Sequence, residues 1–201
     1  MSFDIAVEKR RGDAHVSCRI EGGEGITVLF GPSGVGKTSV LDMVAGLLKP
    51  DSGHVRVGGE TLFDAAAGTD VPPERRRAGY VFQDARLFPH LNVRKNLLYG
   101  AGGDPSGLDD LAARFDIAHL LDRWPRSLSG GEARRVAIGR ALLAKPRFLL
   151  LDEPLSSLDR ARREEVMRVI ERLRDETGLP ILMVTHDPAE AERLGQRIIE
   201  I

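Results

Sequence analysis

Three runs of consecutive apolar residues stand out along the chain, each bounded by glycine, proline or polar residues. They are GITVLF at 25–30, RFLLLDE at 147–153 and PILMVTH at 180–186. Short runs of this kind, rich in branched side chains and without alternation, are typical of strands that are buried on both faces of a parallel sheet. The pattern therefore predicts three central strands.

Helical patterns lie between these strands. A segment that starts near Asp159 carries Val166, Ile170 and Leu173 at spacings of three and four residues, and it stops at Gly178. This spacing places the apolar side chains on one face of a helix, and glycine is a common helix terminator. The alternation of strands and helices predicts an α/β fold with helices on both faces of the sheet.

Two regions depart from this alternation. The N-terminal third contains FDIAV, HVSCRI and HVRVGG, which are short alternating segments separated by glycine-rich turns and indicate an antiparallel β arm. Between residues 84 and 127 the strand signal disappears, 100–107 is a loop, and LDDLAARFDIAHLLDRW at 108–124 has a helical pattern. We therefore predict a single domain over 1–201, with a small helical subdomain inserted at 84–130.

Composition and charge narrow the class of function. The 201 residues are 42% apolar and 29% charged with a formal net charge of -1, which describes an ordinary folded domain. No global positive field is present, so we expect no nucleic-acid partner, and the arginine clusters at 75–77 and 160–163 are interpreted as solvated surface. Cys18 is the only cysteine, and a reducing compartment suits a chain that cannot form an internal disulfide.

The first residues lack the apolar stretch of a signal peptide, and no apolar run approaches the roughly 20 residues needed to span a bilayer. We expect a cytoplasmic protein whose membrane contact goes through a partner.

The segment GPSGVGKT at 31–38 directly follows the first central strand and opens into an amphipathic helix. Strand, glycine-rich loop and helix in this order predict a phosphate-binding P-loop, in which backbone N–H groups and the helix N-terminus converge on phosphates. Lys37 would neutralise the β- and γ-phosphates, and the Thr38 hydroxyl would bind Mg²⁺. The predicted phosphate-binding residues are Gly31, Pro32, Ser33, Gly34, Val35, Gly36, Lys37, Thr38 and Ser39.

Asp152 and Glu153 follow the second central strand, at the edge of the sheet where open α/β folds bind ligands. Two adjacent carboxylates at a buried position are costly without a cation. Beside a P-loop, Asp152 is a candidate partner of Mg²⁺, and Glu153 is a candidate general base that polarises the attacking water.

The segment LSGGEARRVAIGRAL from Leu128 places Ser129, Gly130 and Gly131 at the start of another helix, which is a second potential anion site. One nucleotide does not need two complete cradles from one subunit, so the second would serve the nucleotide of a neighbour. At this point the chain resembles the ABC ATPases, because LSGGE is similar to their signature.

The resemblance extends over essentially the whole chain. Besides the Walker A and signature segments, Gln83 is similar to the Q-loop glutamine, LLLDE to Walker B, SSLD at 156–159 to the D-loop, and His186 to the switch histidine. The resemblance implies that Gln83 senses Mg²⁺ and that His186 contacts the γ-phosphate. It also implies a homodimer with ATP and Mg²⁺ sandwiched between subunits, in which Ser129, Gly130, Gly131 and Asp159 act on the partner's nucleotide.

One stretch, GYVFQDARLFPHLNVRKNLLYG at 79–100, is similar to the ATPases of bacterial molybdate importers. That likeness implies an ATPase on the cytoplasmic face of the bacterial plasma membrane, which drives integral-membrane permease subunits and, indirectly, a periplasmic or extracellular solute-binding protein. The permease would dock near Gln83 to His90, with Leu87, Phe88 and Pro89 as an apolar socket. Alternatively, these three residues pack the helical subdomain onto the sheet.

Three features depart from the family pattern, and apart from these the resemblance leaves alternatives open for the function. EKRRGDAHVSC at 8–18 lacks the aromatic residue on which most members stack adenine, Arg134 occupies a position that is commonly glutamine, and the chain ends at Ile201, before the C-terminal β domain of molybdate ATPases. The alternatives are an importer ATPase for another solute, a soluble ABC ATPase that acts as a mechanical switch on ribosomes or nucleic acid, and a cassette that binds ATP without hydrolysis.

Overall fold

The computed structural model describes residues 2–12, 14–23 and 25–201 and contains two five-stranded sheets. Within this part of the chain, no helix has both the length and the apolar composition to cross a membrane. The elements are β1 (Phe3–Arg11), β2 (Ala14–Gly22), β3 (Ile26–Phe30), α1 (Lys37–Ala45), β4 (Ser52–Val57), β5 (Glu60–Asp64), β6 (Thr69–Asp70), β7 (Ala78–Val81), α2 (Val93–Tyr99), α3 (Leu108–Arg114), α4 (Gly130–Leu143), β8 (Phe148–Asp152), α5 (Arg160–Thr177), β9 (Ile181–Thr185), α6 (Pro188–Leu194) and β10 (Arg197–Glu200).

The central sheet is parallel, with strand order β10-β3-β9-β8-β7. Its three inner strands are the three apolar runs of the sequence, and this prediction is confirmed. The edge strands β7 and β10 were not predicted, because AGYV is short and RIIE has mostly exposed side chains. Parallel order brings the carboxyl ends of β3, β8 and β9 to the same edge, where the P-loop, Glu153 and His186 follow.

The second sheet is antiparallel, with order β2-β1-β4-β5-β6, as predicted for the N-terminal arm. Strands β1 and β4 approach closely at Gly53, which has a φ of 94°. A Cβ atom at Gly53 would lie 1.8 Å from the carbonyl oxygen of Ala6, so only glycine fits this crossing.

The parallel sheet separates two hydrophobic cores, because successive side chains of a strand point to opposite faces. Leu149 and Leu151 pack with the buried faces of α2 to α6 on one side. Phe148 and Leu150 pack with α1 and the antiparallel sheet on the other side. Helices therefore cover both faces, and the antiparallel arm shares one face with α1.

The segment at 108–124 is less helical than its pattern predicts. Helix α3 ends at Arg114, and Asp116 adopts a left-handed backbone with a φ of 51°. The remainder forms a short 3₁₀ turn at Ala118–Leu120. The helical pattern thus corresponds to two short helical pieces, and the break between them places Phe115 and Ile117 in the core on the helical side. The 84–130 bounds of the helical subdomain stay a prediction.

Candidate functional site

The loop between β3 and α1 has the backbone of a phosphate cradle. Gly34 and Gly36 have φ values of 85° and 109°, and Gly36 is the residue that precedes the helix. A Cβ atom at Gly36 would lie 2.6 Å from Cγ2 of Val16 in β2. The antiparallel arm thus packs directly against the loop, and glycine is required at this position.

Lys37 is almost completely buried, with 4% of its surface exposed. Its Nζ donates hydrogen bonds of 2.8 Å to the carbonyl oxygens of both Gly31 and Pro32, so the ammonium group braces the loop from within. A cleft of about 320 Å³ opens beside it. The lining residues are Ser33, Gly34, Gly36, Lys37, Thr38, Ser39, Gln83 and Glu153.

Asp152 lies at the end of β8, facing the first turn of α1. It is 3% exposed, and its Oδ1 accepts a hydrogen bond of 3.0 Å from the Thr38 hydroxyl. Burial raises the pKa of Asp152 above its usual range, and the nearby charges of Glu153 and Asp42 act in the same direction. A bound cation would offset the free-energy cost of burying the ionised carboxylate. The oxygen atoms of Asp152 and Thr38 are the kind of ligand that Mg²⁺ prefers.

Such a cation would need further ligands. Within the described ranges, no group of three or more histidine, cysteine, aspartate or glutamate side chains is placed to hold a metal. Mg²⁺ commonly takes one or two protein oxygens and completes its shell with water and substrate phosphates. The Thr38–Asp152 pair has the composition of that kind of site.

Glu153 is the point where three loops meet. Its carboxylate lies 3.2 Å (Oε1) from Nδ1 of His186 and 3.3 Å (Oε2) from Nε2 of Gln83, and both partners come from loops after other strands of the sheet. Its backbone is left-handed, with a φ of 41°, and its N–H donates to the carbonyl oxygen of Val184 at 3.1 Å. A non-glycine residue in this conformation is strained, and such strain is most often found at functional sites.

Ser129 and Gly131 occupy the start of α4, as predicted. The Ser129 hydroxyl accepts a hydrogen bond from the Glu132 N–H at 3.3 Å, and the Glu132 carboxylate accepts one from the Ser129 N–H at 2.7 Å. This capping box satisfies helix donors within the chain itself. A Cβ atom at Gly131 would lie 3.1 Å from Cβ of Arg162, so α4 starts close to α5.

The start of α4 does not contribute to the P-loop cleft. Of the described residues, those that line the cleft include none from 129–131. Gln83 lies between the two regions, because it also lines a neighbouring cavity of about 220 Å³ with Gly130, Arg134 and Ser157. The predicted second anion site therefore lies outside the lining of the chain's own P-loop cleft.

Asp159 is likewise not among the residues that line the cleft. It is exposed and caps α5, where its Oδ1 accepts a hydrogen bond of 3.0 Å from the Arg162 N–H. Lys37, Thr38, Gln83 and Glu153 thus line one cleft, and the 129–131 turn and Asp159 are not part of its lining. Asp152 contacts this cleft through the Thr38 hydroxyl, and His186 lies against the Glu153 carboxylate.

The three residues of the predicted socket have different environments. Leu87 packs against the core on the helical side, whereas Pro89 is exposed. The Phe88 ring lies 4.3 Å from the ring of Tyr99 and 5.0 Å from the guanidinium of Arg140. Tyr99 is 63% exposed, so an aromatic surface at this point remains open to solvent.

The sequence reasoning missed two features that position the site. The Tyr80 hydroxyl donates to Oδ1 of Asp42 at 2.9 Å, which ties β7 to α1. Arg134 is 5% exposed and donates to the backbone carbonyl groups of Phe82 and Gln83. The only signal in the sequence was that Arg134 departs from the family's usual glutamine.

Comparisons with known proteins bear on the whole chain. The molybdenum import ATP-binding protein ModC of Brucella abortus (strain 2308) is 52% identical over 199 residues, which is 97% of this chain and 55% of the relative. ModC of Rhodospirillum rubrum is 51% identical over 204 residues, again covering 55% of the relative. The chain thus spans about half the length of these curated relatives.

Solved structures give the same fold. The dimeric structure of a post-hydrolysis state of the ATP-binding cassette MJ0796, bound to ADP and Pi, has a TM-score of 0.76 and 28% identity, covering 99% of this chain and 94% of that one. Part of an ABC transporter complex, cbiO1 from Clostridium perfringens, has a TM-score of 0.82 and 27% identity, covering 100% and 85%. The family described as ABC transporter matches residues 14–156. The chain belongs to the ABC transporter family.

Proposed function

We propose that this chain binds and hydrolyses Mg-ATP as a homodimer and thereby energises an importer for molybdate or a related oxyanion. The observation that carries the proposal is that Lys37, Thr38, Gln83 and Glu153 line one cleft, with Asp152 bonded to Thr38 and His186 against Glu153, while the turn at 129–131 is not part of the lining. ATP hydrolysis and dimerisation agree with the similar cassette MJ0796, whose structure is a dimeric post-hydrolysis state bound to ADP and Pi.

The P-loop supplies binding and charge neutralisation. Backbone N–H groups of the loop at 33–38 would donate to phosphate oxygens, and Lys37 would exchange its two carbonyl partners for phosphate oxygens. Thr38 and Asp152 would hold Mg²⁺, which supplies charge stabilisation at the phosphates. Ser39, which is half-buried and lines the same cleft, would donate to a further phosphate oxygen.

Glu153 is the proposed general base. It accepts a proton from the attacking water as the water oxygen bonds to the γ-phosphorus and the bond between that phosphorus and the ADP oxygen breaks. Gln83 and His186 hold one carboxylate oxygen each, so both orient the base. His186 has 49% of its side chain exposed, which lets its ring turn toward a phosphate.

A second subunit would complete the site. Gly130 and Gly131 present backbone N–H groups beside the Ser129 hydroxyl at the start of a 14-residue helix, with the partial positive charge of its dipole. Since this turn does not line the chain's own cleft, its anion would be the γ-phosphate of the nucleotide held by the partner. Asp159, at the start of α5, would approach the same interface.

The cargo and the partners rest on the relatives. The ModC proteins that are 51–52% identical to this chain are molybdenum import ATP-binding proteins, and we propose the same role here. The chain would act on the cytoplasmic face of the bacterial plasma membrane through permease subunits that dock near Gln83 to His90. A periplasmic or extracellular solute-binding protein would take part indirectly.

The dimer is tested with the Glu153→Gln variant, which should bind Mg-ATP without consuming it. Size-exclusion chromatography with light scattering should show a monomer without nucleotide and a dimer with millimolar Mg-ATP. Turnover should fall by about 100-fold or more, which is the size of a typical general-base contribution. An unchanged turnover would show that Glu153 is not the base.

Ser129 offers a matched pair of second substitutions in that background. Ser129→Asn and Ser129→Asp both keep a side chain that can cap α4, and they differ mainly in charge. Ser129→Asp places a carboxylate where the partner's phosphate would lie, so it should abolish the ATP-dependent dimer, whereas Ser129→Asn should retain it. Equal dimerisation of the two variants would contradict the action in trans.

Transport is tested separately, with radiolabelled molybdate. In bacteria that lack their own molybdenum-import ATPase, expression of this chain with its permease should restore uptake, and the Glu153→Gln variant should not. Competition with unlabelled tungstate and sulfate then defines the oxyanion class. An active ATPase that restores no uptake of any oxyanion would contradict the importer role and leave the ATPase intact.

A further inference from the structure

The segment from Phe82 to Asn92 connects β7 to α2 without any helix or strand of its own. It carries Gln83, one of the two side chains that hold the Glu153 carboxylate. A connection of this length needs partners for its backbone carbonyl groups if it is to keep one conformation. These partners determine how firmly Gln83 is positioned.

Arg134 of α4 holds the beginning of the segment. Its Nη1 and Nη2 donate to the carbonyl oxygens of Phe82 and Gln83, respectively. Arg134 is 5% exposed, and in the described part of the chain no carboxylate pairs with it at ion-pair distance. Burying a guanidinium costs free energy unless hydrogen bonds satisfy its N–H groups. The Arg134 side chain is therefore strongly held to these two carbonyl groups.

Two further side chains hold the rest of the segment. Arg140, also on α4, donates to the carbonyl oxygens of Arg86 at 3.0 Å and Ala85 at 3.3 Å. The fully buried amide of Asn96 on α2 accepts from the Phe88 N–H at 2.8 Å and donates to the Phe88 carbonyl oxygen at 3.1 Å. Every contact in this set reaches backbone atoms, so it constrains the path of the chain.

We propose that Arg134 is a positioning residue that couples the start of α4 to the Glu153 carboxylate by holding the backbone of Gln83. Arg134 lies within two helical turns of Ser129, at the end of α4 that would face the partner's nucleotide. A shift of α4 toward that nucleotide therefore moves the backbone of Gln83 with it. The side chain of Gln83 in turn contacts Glu153, so the base is oriented when α4 is in place.

Limited trypsin digestion tests whether Arg134 holds the 82–92 segment, and it does not require ATP. Cleavage after Arg86 needs the 82–92 segment to open, because proteases act on locally unfolded chain. We expect R134A to raise the rate of cleavage at the bond between Arg86 and Leu87 by about tenfold, which corresponds to the loss of one or two charged hydrogen bonds. Mass spectrometry of the first fragments identifies the bond.

The matched control is R135A. Arg135 is a buried arginine on the same helix, 6% exposed, but it donates to Glu165 of α5 at 2.7 Å and has no bond to 82–92. R135A should leave cleavage after Arg86 at the wild-type rate. If R135A opens this bond as much as R134A does, general loosening of α4 explains the effect and the proposal is wrong. If R134A does not fold, R134Q replaces it, and an unchanged cleavage rate in R134Q overturns the proposal.

The coupling to Glu153 rests on the proposed ATPase function and has its own readout. R134A should lower kcat by about tenfold and leave the affinity for a fluorescent ATP analogue within twofold, because the P-loop contacts are unaffected. Loss of affinity with unchanged kcat would contradict the positioning role. The two proposals can fail separately. If the wild type has no turnover but R134A still speeds cleavage after Arg86, the ATPase function is refuted and the role of Arg134 in holding the 82–92 segment is retained.

Discussion

The Asp152 carboxylate is buried, and the negative charges of Glu153 and Asp42 act on it. Its pKa is higher in the folded chain than the usual 3.8, so the folded state binds the proton more tightly than the unfolded state does. The free energy of unfolding therefore falls as the pH rises above about 4. Without a bound cation, the ionised Asp152 carboxylate therefore lowers the stability of the folded chain.

We therefore expect Asp152→Asn to stabilise the nucleotide-free chain. The amide keeps an acceptor for the Thr38 hydroxyl and removes the buried charge. A gain of about 1 kcal/mol corresponds to a rise in Tm of about 2–4 °C for a chain of this size. Differential scanning calorimetry at pH 7.5 measures it, and the gain should shrink toward pH 4.

The same variant should lose the additional stabilisation that Mg²⁺ gives in the presence of ATP. Asp122→Asn is the control, because Asp122 is 89% exposed and its charge is solvated. A lower Tm for Asp152→Asn without ligand would show that the ionised carboxylate stabilises the folded state.

The reactivity of the Cys18 thiol tests whether this residue is buried as the structure shows. It is 7% exposed, and burial raises the pKa of its thiol to about 11. Since only the thiolate reacts, alkylation at pH 8 should be at least about 100-fold slower than for a free thiol of pKa about 8.5. The rate, followed by mass spectrometry, should rise about tenfold per pH unit up to pH 10 and reach the free value in denaturant. Fast alkylation of the native chain at pH 8 would contradict the burial.

At the scale of elements, Arg76 connects α1 to the antiparallel sheet. It is 1% exposed and donates to the carbonyl oxygens of Met43 and Val44, which are at the end of α1, and to that of Val71. It also pairs with Asp70 at 3.2 Å. The Arg76 side chain thus fills the space above Gly46, where a Cβ atom would lie 2.6 Å from its Nε.

Arg76→Ala should destabilise the chain by about 3 kcal/mol, because it leaves a cavity and several buried carbonyl groups without donors. The expected fall in Tm is about 6–12 °C. Arg75→Ala next to it removes an exposed side chain and should change the stability by less than about 0.5 kcal/mol. Equal effects of the two substitutions would show that the Arg76 contacts contribute little.

Elements with a strong local pattern could be predicted from the sequence. The three inner strands, α5 and the P-loop follow from runs of apolar residues and from glycine spacing, which depend on neighbours in the chain. Arg134 and Phe82 are 52 residues apart, and no local pattern indicates that they meet. The break after α3 was missed for a related reason, since Phe115 and Ile117 bury themselves in a core that other elements create.

The candidate site was predictable in its residues and less so in its geometry. Lys37, Thr38, Asp152 and Glu153 stand in motifs whose chemistry requires those residue types. That Gln83 and His186 each hold one oxygen of the Glu153 carboxylate became visible only with the fold. Side-chain contacts between loops depend on the register of the whole sheet, which a single sequence does not specify.

At the scale of the whole molecule, nucleotide binding and dimerisation should be linked. If two subunits share each ATP, the Tm of the Glu153→Gln variant in saturating Mg-ATP should rise with protein concentration, because association stabilises only the folded chain. The Tm without nucleotide should be independent of concentration. Thermal unfolding over a hundredfold range of protein concentration measures both, and a Tm in Mg-ATP that stays constant would contradict a nucleotide-bridged dimer.

The separation of the two cores by the parallel sheet has a consequence for how this protein can diverge. Helix α1, which carries Lys37 and Thr38, packs in one core, and α4, which begins at the 129–131 turn, packs in the other. Substitutions that repack the helices around α4 do not change the core in which α1 packs, since distant and independent sites contribute additively to stability. Substitutions on the α4 side that keep the Arg134 contacts can therefore accumulate while the packing beneath the P-loop stays the same.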